Sequence, residues 1–215
     1  MADETTMKGL THPPPNPVIF LKAPTSLLPQ GEFIRIPEGC DTINHDEVEL
    51  GVVISKGGSS IPENQVMDHI EGYVLALDMT STSHFKEALD EKKPWLLAKC
   101  FDTFCPISEI LSKSEVPDPD NVDLWLTVNG EDRQAANTKD LNFSISQLIS
   151  YTSKITKLER GDLILTGTPG GISTVKSGDI IDCGFKGIKS MKFEVKINTN
   201  QVIETKTTLY NSSYI

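Results

Sequence analysis

The chain has 215 residues, of which 38% are hydrophobic and 23% charged, and its formal net charge is −10. This composition suits a globular protein with its own core, the acidic surface disfavours nucleic acid as a partner, and no apolar run reaches the roughly 18 residues of a membrane span. The four cysteines have none of the spacings of a zinc site, and we interpret them as reduced thiols of an intracellular protein.

The two ends of the chain differ in character from its middle. Residues 1–17 contain four prolines between positions 13 and 17, which predicts a flexible N-terminal arm. The arm is acidic at its start and has no apolar core, so it is not a secretory signal. Residues 198–215 form a polar tail. We therefore expect one domain over residues 18–197.

Within that domain, short β-branched or alternating segments predominate. They predict strands at 18–23, 32–36, 48–55, 73–79, 161–167, 178–184 and 190–197. The dipeptide Asn129-Gly130 predicts a tight hairpin inside 123–136. Apolar residues at helical spacing predict helices over 81–93 and 144–155, and Pro62 in a first turn predicts a short helix over 62–70. With so few helices to cover a sheet, the fold class is β-rich α+β rather than doubly wound.

The sharpest local feature is the pair Glu47 and Glu49 at the start of a predicted strand. Residues two apart share a strand face, and two neighbouring carboxylates there favour a cation such as Mg²⁺ or Mn²⁺, which prefer oxygen ligands. A third carboxylate, Asp78, ends the apolar strand that follows. The alternative is that both glutamates face solvent on an edge strand and Asp78 caps a helix.

Several further sequence motifs, which follow one another along the chain, support the interpretation as a metal site. Residues 45–54, 72–80, 94–106, 128–134, 148–154 and 158–172 together resemble the fumarylacetoacetate hydrolase family. The resemblance runs from about Val18 to Val195, and it is strongest to the short acylpyruvase and oxaloacetate-decarboxylase type. It implies a mixed β-sandwich roll with a few short helices, usually assembled as a homodimer, in mitochondria or cytoplasm.

The resemblance also implies roles for individual residues. Glu47, Glu49 and Asp78 match the family's Mg²⁺ or Mn²⁺ ligands, and Lys99 matches its active-site lysine. Thr168 matches a threonine that contacts the substrate carboxylate and takes part in the active site. Lys22 matches a lysine near the bound substrate. Lys99 also has a plain alternative as a surface lysine.

Three departures from the family pattern bear on activity. The usual lid His and Glu correspond to Thr5 and Lys8, and His12, which prolines follow, is no substitute. The family's substrate-facing Arg and Gln correspond to Thr82 and Phe85, although Phe85 also suits a helix core. A usual glycine after the threonine motif is Ser173. The metal ligands are therefore present, while the substrate clamp and the lid are altered.

We therefore expect an Mg/Mn-dependent C–C bond hydrolase or decarboxylase of small 2-oxo and β-diketo acids, such as acylpyruvates or oxaloacetate, working through a metal-stabilised enolate. Tautomerisation of oxaloacetate belongs to the same class of chemistry. The alternatives are a metal-binding pseudoenzyme or ligand-binding module that has lost the lid dyad and the Arg/Gln clamp, and an unrelated structural or interaction protein. From ordinary carboxyl pKa values, metal affinity should fall below about pH 5.

Overall fold

A computed structural model of the protein describes residues 14–38, 40, 43–44, 47–168 and 173–197. The strands of this part are β1 (Leu27–Pro29), β2 (Ile34–Ile36), β3 (Ile43–Asn44), β4 (Val48–Ile54), β5 (Ile70–Leu77), β6 (Thr80–Ser81), β7 (Cys105–Ile107), β8 (Leu111–Ser112), β9 (Asp123–Val128), β10 (Glu131–Asn137), β11 (Leu163–Leu165), β12 (Thr174–Val175), β13 (Ile180–Phe185) and β14 (Lys189–Ile197). The α-helices are α1 (Thr82–Asp90), α2 (Leu96–Lys99) and α3 (Ile145–Ile155), with 3₁₀ turns at Pro24–Ser26, Glu63–His69 and Thr138–Asp140.

The strands form three sheets. The first has the order β1-β7-β5-β4-β11, with β8 also paired to β5. The second has the order β10-β9-β13-β14-β2, and a small third sheet has the order β12-β3-β6. This strand-rich α+β architecture confirms the predicted fold class, because the helices are too few and too short to cover either large sheet.

The hairpin of β4 and β5 is the centre of the first sheet. The strands pair antiparallel from Val48 opposite Leu77 to Ile54 opposite Ile70. Their side chains are almost all buried, as expected for continuous apolar strands covered on both faces. Just beyond the paired residues, the Asp78 N–H donates to the Glu47 carbonyl at 3.0 Å. The pairing therefore brings the two acidic positions together although they are far apart in sequence.

Several local predictions are confirmed in the second sheet and in α3. Asn129 and Gly130 join β9 to β10 with φ of 53° and 82°, the left-handed conformation that such a turn requires. Helix α3 begins after Ser144, whose hydroxyl accepts from the Gln147 N–H while the Gln147 side chain accepts from the Ser144 N–H. This capping box satisfies backbone donors that would otherwise lack partners at the helix start.

The prediction of a strand at 18–23 is wrong. These residues are not assigned to any strand, and a 3₁₀ turn that starts at Pro24 follows them. Within this segment Lys22 and Phe20 make the contacts described below, while Ile19 and Leu21 are exposed. The predicted helix at 62–70 is a 3₁₀ helix, Glu63–His69.

The predicted arm and tail lie largely outside the described residues. Residues 14–17, the described end of the arm, contain no helix or strand. The tail at 198–215 and the positions of Thr5, Lys8 and His12 are also outside the described part. Among the described helices, none combines the length and the apolarity needed to cross a bilayer.

Candidate active site

Three carboxylates meet at one end of the β4–β5 hairpin. Glu47 immediately precedes β4, Glu49 lies within it, and Asp78 immediately follows β5. Ligand oxygens of the three residues all lie within 4.8 Å of one another. The three residues are only 3%, 4% and 2% exposed, so the alternative of glutamates facing solvent is wrong. The cluster is built by the register of two adjacent strands, which is a rigid support.

Lys99 inserts its ammonium between two of these carboxylates. It is the last residue of α2 and is 1% exposed, so the alternative of a surface lysine is also wrong. Its Nζ lies 2.7 Å from Glu47 Oε2 and 2.7 Å from Asp78 Oδ2. A lysine is buried at such low exposure only when its charge is paired, and here two acidic partners supply the pairing.

Lys22 approaches the same cluster from the segment that precedes β1. Its Nζ lies 2.5 Å from Asp78 Oδ1 and donates to the backbone carbonyls of Met79 at 3.0 Å and Lys99 at 2.8 Å. All three donors of this ammonium are therefore engaged. Because both Asp78 oxygens accept from lysines, this residue does not cap a helix. Lys22 holds Asp78 and the end of α2 in place.

The charges in this cluster are unevenly compensated. Burial alone would raise the pKa of Asp78, but Lys22 and Lys99 outweigh it and hold that pKa well below its usual range. Burial would lower the pKa of Lys99, but Asp78 and Glu47 raise it above its usual value. Burial and the charge of Asp78 raise the pKa of Glu49 to about 7, despite a hydrogen bond from the Gly167 N–H. Glu49 thus carries the least compensated charge.

This donor set fits a divalent cation with a preference for oxygen ligands. Three carboxylates face two ammoniums, which leaves one negative charge in excess in a buried place. Opposite ligands of Mg²⁺ are about 4.2 Å apart, twice its usual bond length, so oxygens within 4.8 Å need only small shifts. Each carboxylate also has about four lone-pair sites, so a lysine and a metal can share it.

Thr168 is placed beside this cluster by a glutamine. Gln134 on β10 donates from Nε2 to Thr168 Oγ1 and accepts at Oε1 from the Val48 N–H at 3.2 Å. Val48 lies between the two glutamates in sequence, so the hydroxyl of Thr168 is tied to the strand that carries them. In the same turn, the Gly167 N–H donates to Glu49 Oε2 at 2.5 Å. Residues 166–168 and 134 thus connect the second sheet to the site.

Sequence reasoning missed two other contacts. The ring of Phe20 lies 4.7 Å from Lys99 Nζ, so a cation–π contact adds to the two ion pairs. The hydroxyl of Thr80 lies 3.4 Å from Glu47 Oε2. Phe20 falls two residues before Lys22 and Thr80 two residues after Asp78, and this proximity in sequence was the available signal. Gln134 and Gly167 fell within motifs that were recognised, but their contacts were not predicted.

Phe85 belongs to the packed interior and is not a substrate-facing residue. It is 3% exposed, and its ring lies 5.2 Å from that of Trp95 in an edge-to-face arrangement. Trp95 in turn packs against Phe20, with ring centroids 5.5 Å apart. Of the two alternatives for Phe85, the structure favours the helix core. Thr82, at the start of α1, is partly exposed.

A strand-rich α+β fold with a buried cluster of three carboxylates and a paired lysine defines the class as a β-rich protein with a candidate site for a divalent metal ion. The chain belongs to the fumarylacetoacetate hydrolase family, because the family model described as fumarylacetoacetate (FAA) hydrolase C-terminal matches residues 2–196. This confirms the resemblance recognised in the sequence.

Curated relatives cover most of the chain. The mouse protein named oxaloacetate tautomerase FAHD1, mitochondrial, is 48% identical over 180 residues, which are 84% of this chain and 81% of the relative. The Arabidopsis thaliana protein of the same name is 48% identical over 183 residues, 85% of this chain and 82% of the relative. Oxaloacetate decarboxylase, mitochondrial, from Dictyostelium discoideum is 46% identical over 184 residues, 85% of this chain and 84% of the relative.

Solved structures show the same fold. Fumarylpyruvate hydrolase from Pseudomonas aeruginosa, crystallised with Mn²⁺ and pyruvate, superposes with a TM-score of 0.83 at 29% identity, over 92% of this chain and 85% of that one. A putative isomerase from Escherichia coli superposes with a TM-score of 0.80 at 37% identity, over 85% and 86% of the two chains.

Proposed function

We propose that the protein is a metal-dependent enzyme acting on small 2-oxo and β-diketo acids, with oxaloacetate and acylpyruvates as its substrates. The observation that carries the proposal is the buried cluster of Glu47, Glu49 and Asp78 with the Lys99 ammonium 2.7 Å from two of its members. Relatives named oxaloacetate tautomerase and oxaloacetate decarboxylase, and a structure named fumarylpyruvate hydrolase, support the same class of chemistry.

In this proposal Glu47, Glu49 and Asp78 hold one Mg²⁺ or Mn²⁺ ion. The Mn²⁺ in the Pseudomonas structure supports a divalent ion, and either metal suits carboxylate ligands. When bound, such an ion polarises a carbonyl oxygen and stabilises negative charge on it. The three residues lie within or immediately beside two adjacent strands, and the pairing of these strands holds them close together.

Lys99 has the role of a fixed positive charge beside the reacting carbonyl. Its acidic neighbours raise its pKa, so it stays an ammonium and does not serve as a proton-accepting base. A positive charge held in place in a buried site stabilises negative charge that develops during reaction, without the cost of reorganising solvent. Lys22 keeps Asp78 and the end of α2 in position, and it lines a cavity beside the carboxylates.

Thr168 is proposed to bind the substrate carboxylate. Its hydroxyl is held by Gln134, which is itself fixed to the Val48 N–H. A hydroxyl that accepts from an amide keeps its own proton available for donation. The carboxylate of a 2-oxo acid placed there would have its carbonyl next to the metal ligands.

Each reaction in this class has a simple balance. Tautomerisation of oxaloacetate moves a proton from C3 to the carbonyl oxygen. Decarboxylation breaks the bond between C3 and C4 and releases CO₂, and the remaining enolate takes up a proton to give pyruvate. Hydrolysis of an acylpyruvate consumes water and yields a carboxylic acid and pyruvate. Only the last requires a positioned water, which is the role of the lid that corresponds to Thr5 and Lys8, outside the described residues. We therefore place oxaloacetate chemistry first.

A pseudoenzyme that has lost its clamp and lid is not favoured. The three carboxylates and Lys99 are buried, Lys99 pairs with Glu47 and Asp78, and Lys22 also pairs with Asp78. Relatives that share nearly half of the sequence are named as enzymes. Because those relatives are named mitochondrial, we propose a mitochondrial location rather than a cytoplasmic one. The homodimer expected from the family remains a proposal, which light scattering tests.

The test is an assay of purified protein with oxaloacetate and with acetylpyruvate, in the presence of Mg²⁺ or Mn²⁺. We expect metal-dependent turnover of at least one substrate, abolished by a chelator and by Glu47→Ala. Glu63→Ala, at an exposed position of a 3₁₀ helix, is the matched control and should retain activity. Absence of turnover with either substrate, in protein that binds the metal, would contradict the proposal.

A further inference from the structure

A second cluster of reactive side chains lies at the start of α1, outside the carboxylate site. Cys40 Sγ lies 3.2 Å from Ser81 Oγ and 3.5 Å from His84 Nδ1. Ser81 Oγ lies 2.8 Å from the same Nδ1, so a thiol, a hydroxyl and an imidazole are in mutual contact. Ser83 Oγ is a more distant donor to the sulfur, at 3.9 Å. A cysteine within hydrogen-bond reach of a histidine is the arrangement of an activated nucleophile and its base.

The fold brings these groups together where two short strands meet the helix. Ser81 ends β6 and is the N-cap of α1, and His84 lies in the first turn of that helix. Ser81 pairs with Ile43 of β3, and Cys40 lies shortly before that strand. An N-cap serine usually bonds a backbone N–H of the first turn, but within the described part of the chain the Ser81 side chain makes no such bond. Its hydroxyl is directed to the thiol and the imidazole instead.

These contacts form a path for the thiol proton. In the imidazole tautomer that carries its proton on Nε2, Nδ1 is an acceptor. The Ser81 hydroxyl then donates to His84 Nδ1 and accepts from the Cys40 thiol. Proton transfer along this path leaves a thiolate on Cys40, to which Ser81 donates, and an imidazolium on His84. The start of α1 adds to this effect, because the N-terminal end of a helix favours a negative charge.

The other three cysteines have different surroundings. Cys105 and Cys183 are buried, and burial raises the pKa of the Cys105 thiol to about 12 and also raises the pKa of Cys183. Cys100 is partly exposed, but its thiol donates to the Leu21 carbonyl at 3.2 Å. A carbonyl oxygen accepts that hydrogen bond without taking up the proton. The thiolate is the reactive form of cysteine, so these surroundings do not activate the three thiols.

The cysteine cluster is also open to small molecules. Cys40 is 9% exposed, whereas Cys105 is 2% and Cys183 is 0% exposed. Beside Cys40, His84 is partly exposed and Ser83 is exposed. Solvent therefore reaches the cluster from the first turn of α1, through an opening that favours reagents little larger than water.

We propose that Cys40 is a nucleophilic thiol, activated by Ser81 and His84, that small hydroperoxides oxidise to a sulfenic acid. With hydrogen peroxide, the thiolate sulfur forms a bond to one peroxide oxygen, and the O–O bond breaks. The hydroxide that leaves takes the proton from His84, so a thiol and a peroxide give a sulfenic acid and water. The sulfur is oxidised and the peroxide is reduced. This reaction is separate from the proposed function and uses none of the metal ligands.

The test exposes the purified protein to hydrogen peroxide together with dimedone, a reagent that traps sulfenic acids. Tandem mass spectrometry of peptides then measures the rate of adduct formation at each cysteine. We expect the adduct to form faster at Cys40 than at Cys100, although Cys100 is the more exposed thiol. Cys105 and Cys183 should stay unmodified in the folded protein. Cys40→Ser should abolish the adduct at position 40.

His84→Gln tests the role of the imidazole. Glutamine keeps a polar side chain but does not accept a proton at neutral pH. An ordinary thiol is only a few per cent ionised at about pH 7, so adduct formation at Cys40 should slow about tenfold. An unmodified Cys105 in the same sample shows that the variant is folded. Lys86→Gln, at an exposed position of the same helix, is the matched control and should react at Cys40 like the unaltered protein.

Two results would overturn the proposal. If Cys40 reacts no faster than Cys100 in the unaltered chain, this thiol is not activated, and that comparison does not depend on the folding of any variant. If His84→Gln reacts at Cys40 as fast as Lys86→Gln, the imidazole does not act on the thiol. Fast reaction at Cys40 that His84→Gln slows and Lys86→Gln does not would establish the site.

Discussion

The ammonium of Lys99 lies 2.7 Å from Asp78 Oδ2, although the two residues belong to a short helix and to the end of a central strand. Lys99 also contacts Glu47 at the same distance, so one lysine links two proposed metal ligands. In the absence of metal, Lys99 compensates the charge of Glu47 and shares the compensation of Asp78 with Lys22. Stability and metal binding should therefore be coupled through this residue.

The first prediction is that Lys99→Met destabilises the metal-free protein. Removing one partner of a buried ion pair leaves charge uncompensated, and we expect a loss of about 3–5 kcal/mol in the free energy of unfolding. Saturating Mg²⁺ should recover part of that loss, because the ion binds the native carboxylates. Urea unfolding with and without Mg²⁺ measures both effects. Lys93→Met is the control, since Lys93 pairs with glutamates at the surface.

In the same variant, turnover should fall while metal binding persists. Methionine keeps much of the volume of lysine but removes the positive charge proposed to act on the substrate. Retention of full turnover in Lys99→Met would show that this lysine is structural alone.

The second prediction concerns the ligand set. Glu49→Gln preserves shape and an acceptor for the Gly167 N–H but removes the charge that a divalent ion requires. Mutating residues that only hydrogen-bond to metal ligands lowers metal affinity about 10- to 100-fold, so losing the charge of a ligand should lower it at least as much. Isothermal titration with Mn²⁺ measures it, against Glu63→Gln. Equal affinities in the two variants would remove Glu49 from the ligand set.

The third prediction is the pH dependence of metal binding. Burial and the charge of Asp78 raise the pKa of Glu49 from 4.5 to about 7, and a metal must displace that proton. Affinity should therefore rise about tenfold per pH unit up to about pH 7 and then level off. Metal affinity should therefore begin to fall below about pH 7, and not below the pH of about 5 expected for ordinary carboxyl groups. Mn²⁺ titrations between pH 5.5 and 8.5 test it, and a flat profile over that range would contradict it.

The raised pKa of Glu49 also makes the stability of the metal-free protein depend on pH. Between pH 4.5 and about 7, the folded chain keeps a proton on Glu49 that the unfolded chain releases. The contribution of this residue to the free energy of unfolding therefore decreases as pH rises across that range. Because glutamine does not titrate, Glu49→Gln should lack this pH-dependent loss of stability, which thermal unfolding at a series of pH values measures.

The fourth prediction is that Phe85→Gln destabilises the fold rather than completing a substrate clamp. Phe85 packs against Trp95 and is almost fully buried, and truncating such aromatic side chains costs about 3–5 kcal/mol. Leu89→Gln, on the same helix but 41% exposed, should cost far less. Chemical unfolding of the two variants gives the comparison. A stable Phe85→Gln protein would mean that this ring is not part of the core.

Thr82→Arg alone remains the direct test of a carboxylate clamp. A charged hydrogen bond to the substrate is worth about 1.5–3 kcal/mol, so KM should improve roughly 10- to 150-fold for the acid and not for its neutral ester. Without such a preference, position 82 does not face the substrate.

Much of this protein was predictable from local sequence. Local patterns of a few residues predicted the turn at Asn129-Gly130, the helix after Ser144 and the strand at 48–54. They could do so because backbone conformation and the alternation of strand faces are short-range properties. The recurrence of several motifs in order also identified the family and the candidate residues Glu47, Glu49, Asp78 and Lys99.

Only the tertiary structure decided how those residues are used. It buries the three carboxylates, pairs Lys99 with two of them and leaves Glu49 with a raised pKa. It also shows that 18–23 is not a strand and that Lys22 and Phe20 contact Asp78 and Lys99 at the candidate active site. Distances, burial and pKa shifts depend on segments that are far apart in sequence. Such long-range contacts arise from packing the whole chain, and no local pattern contains them.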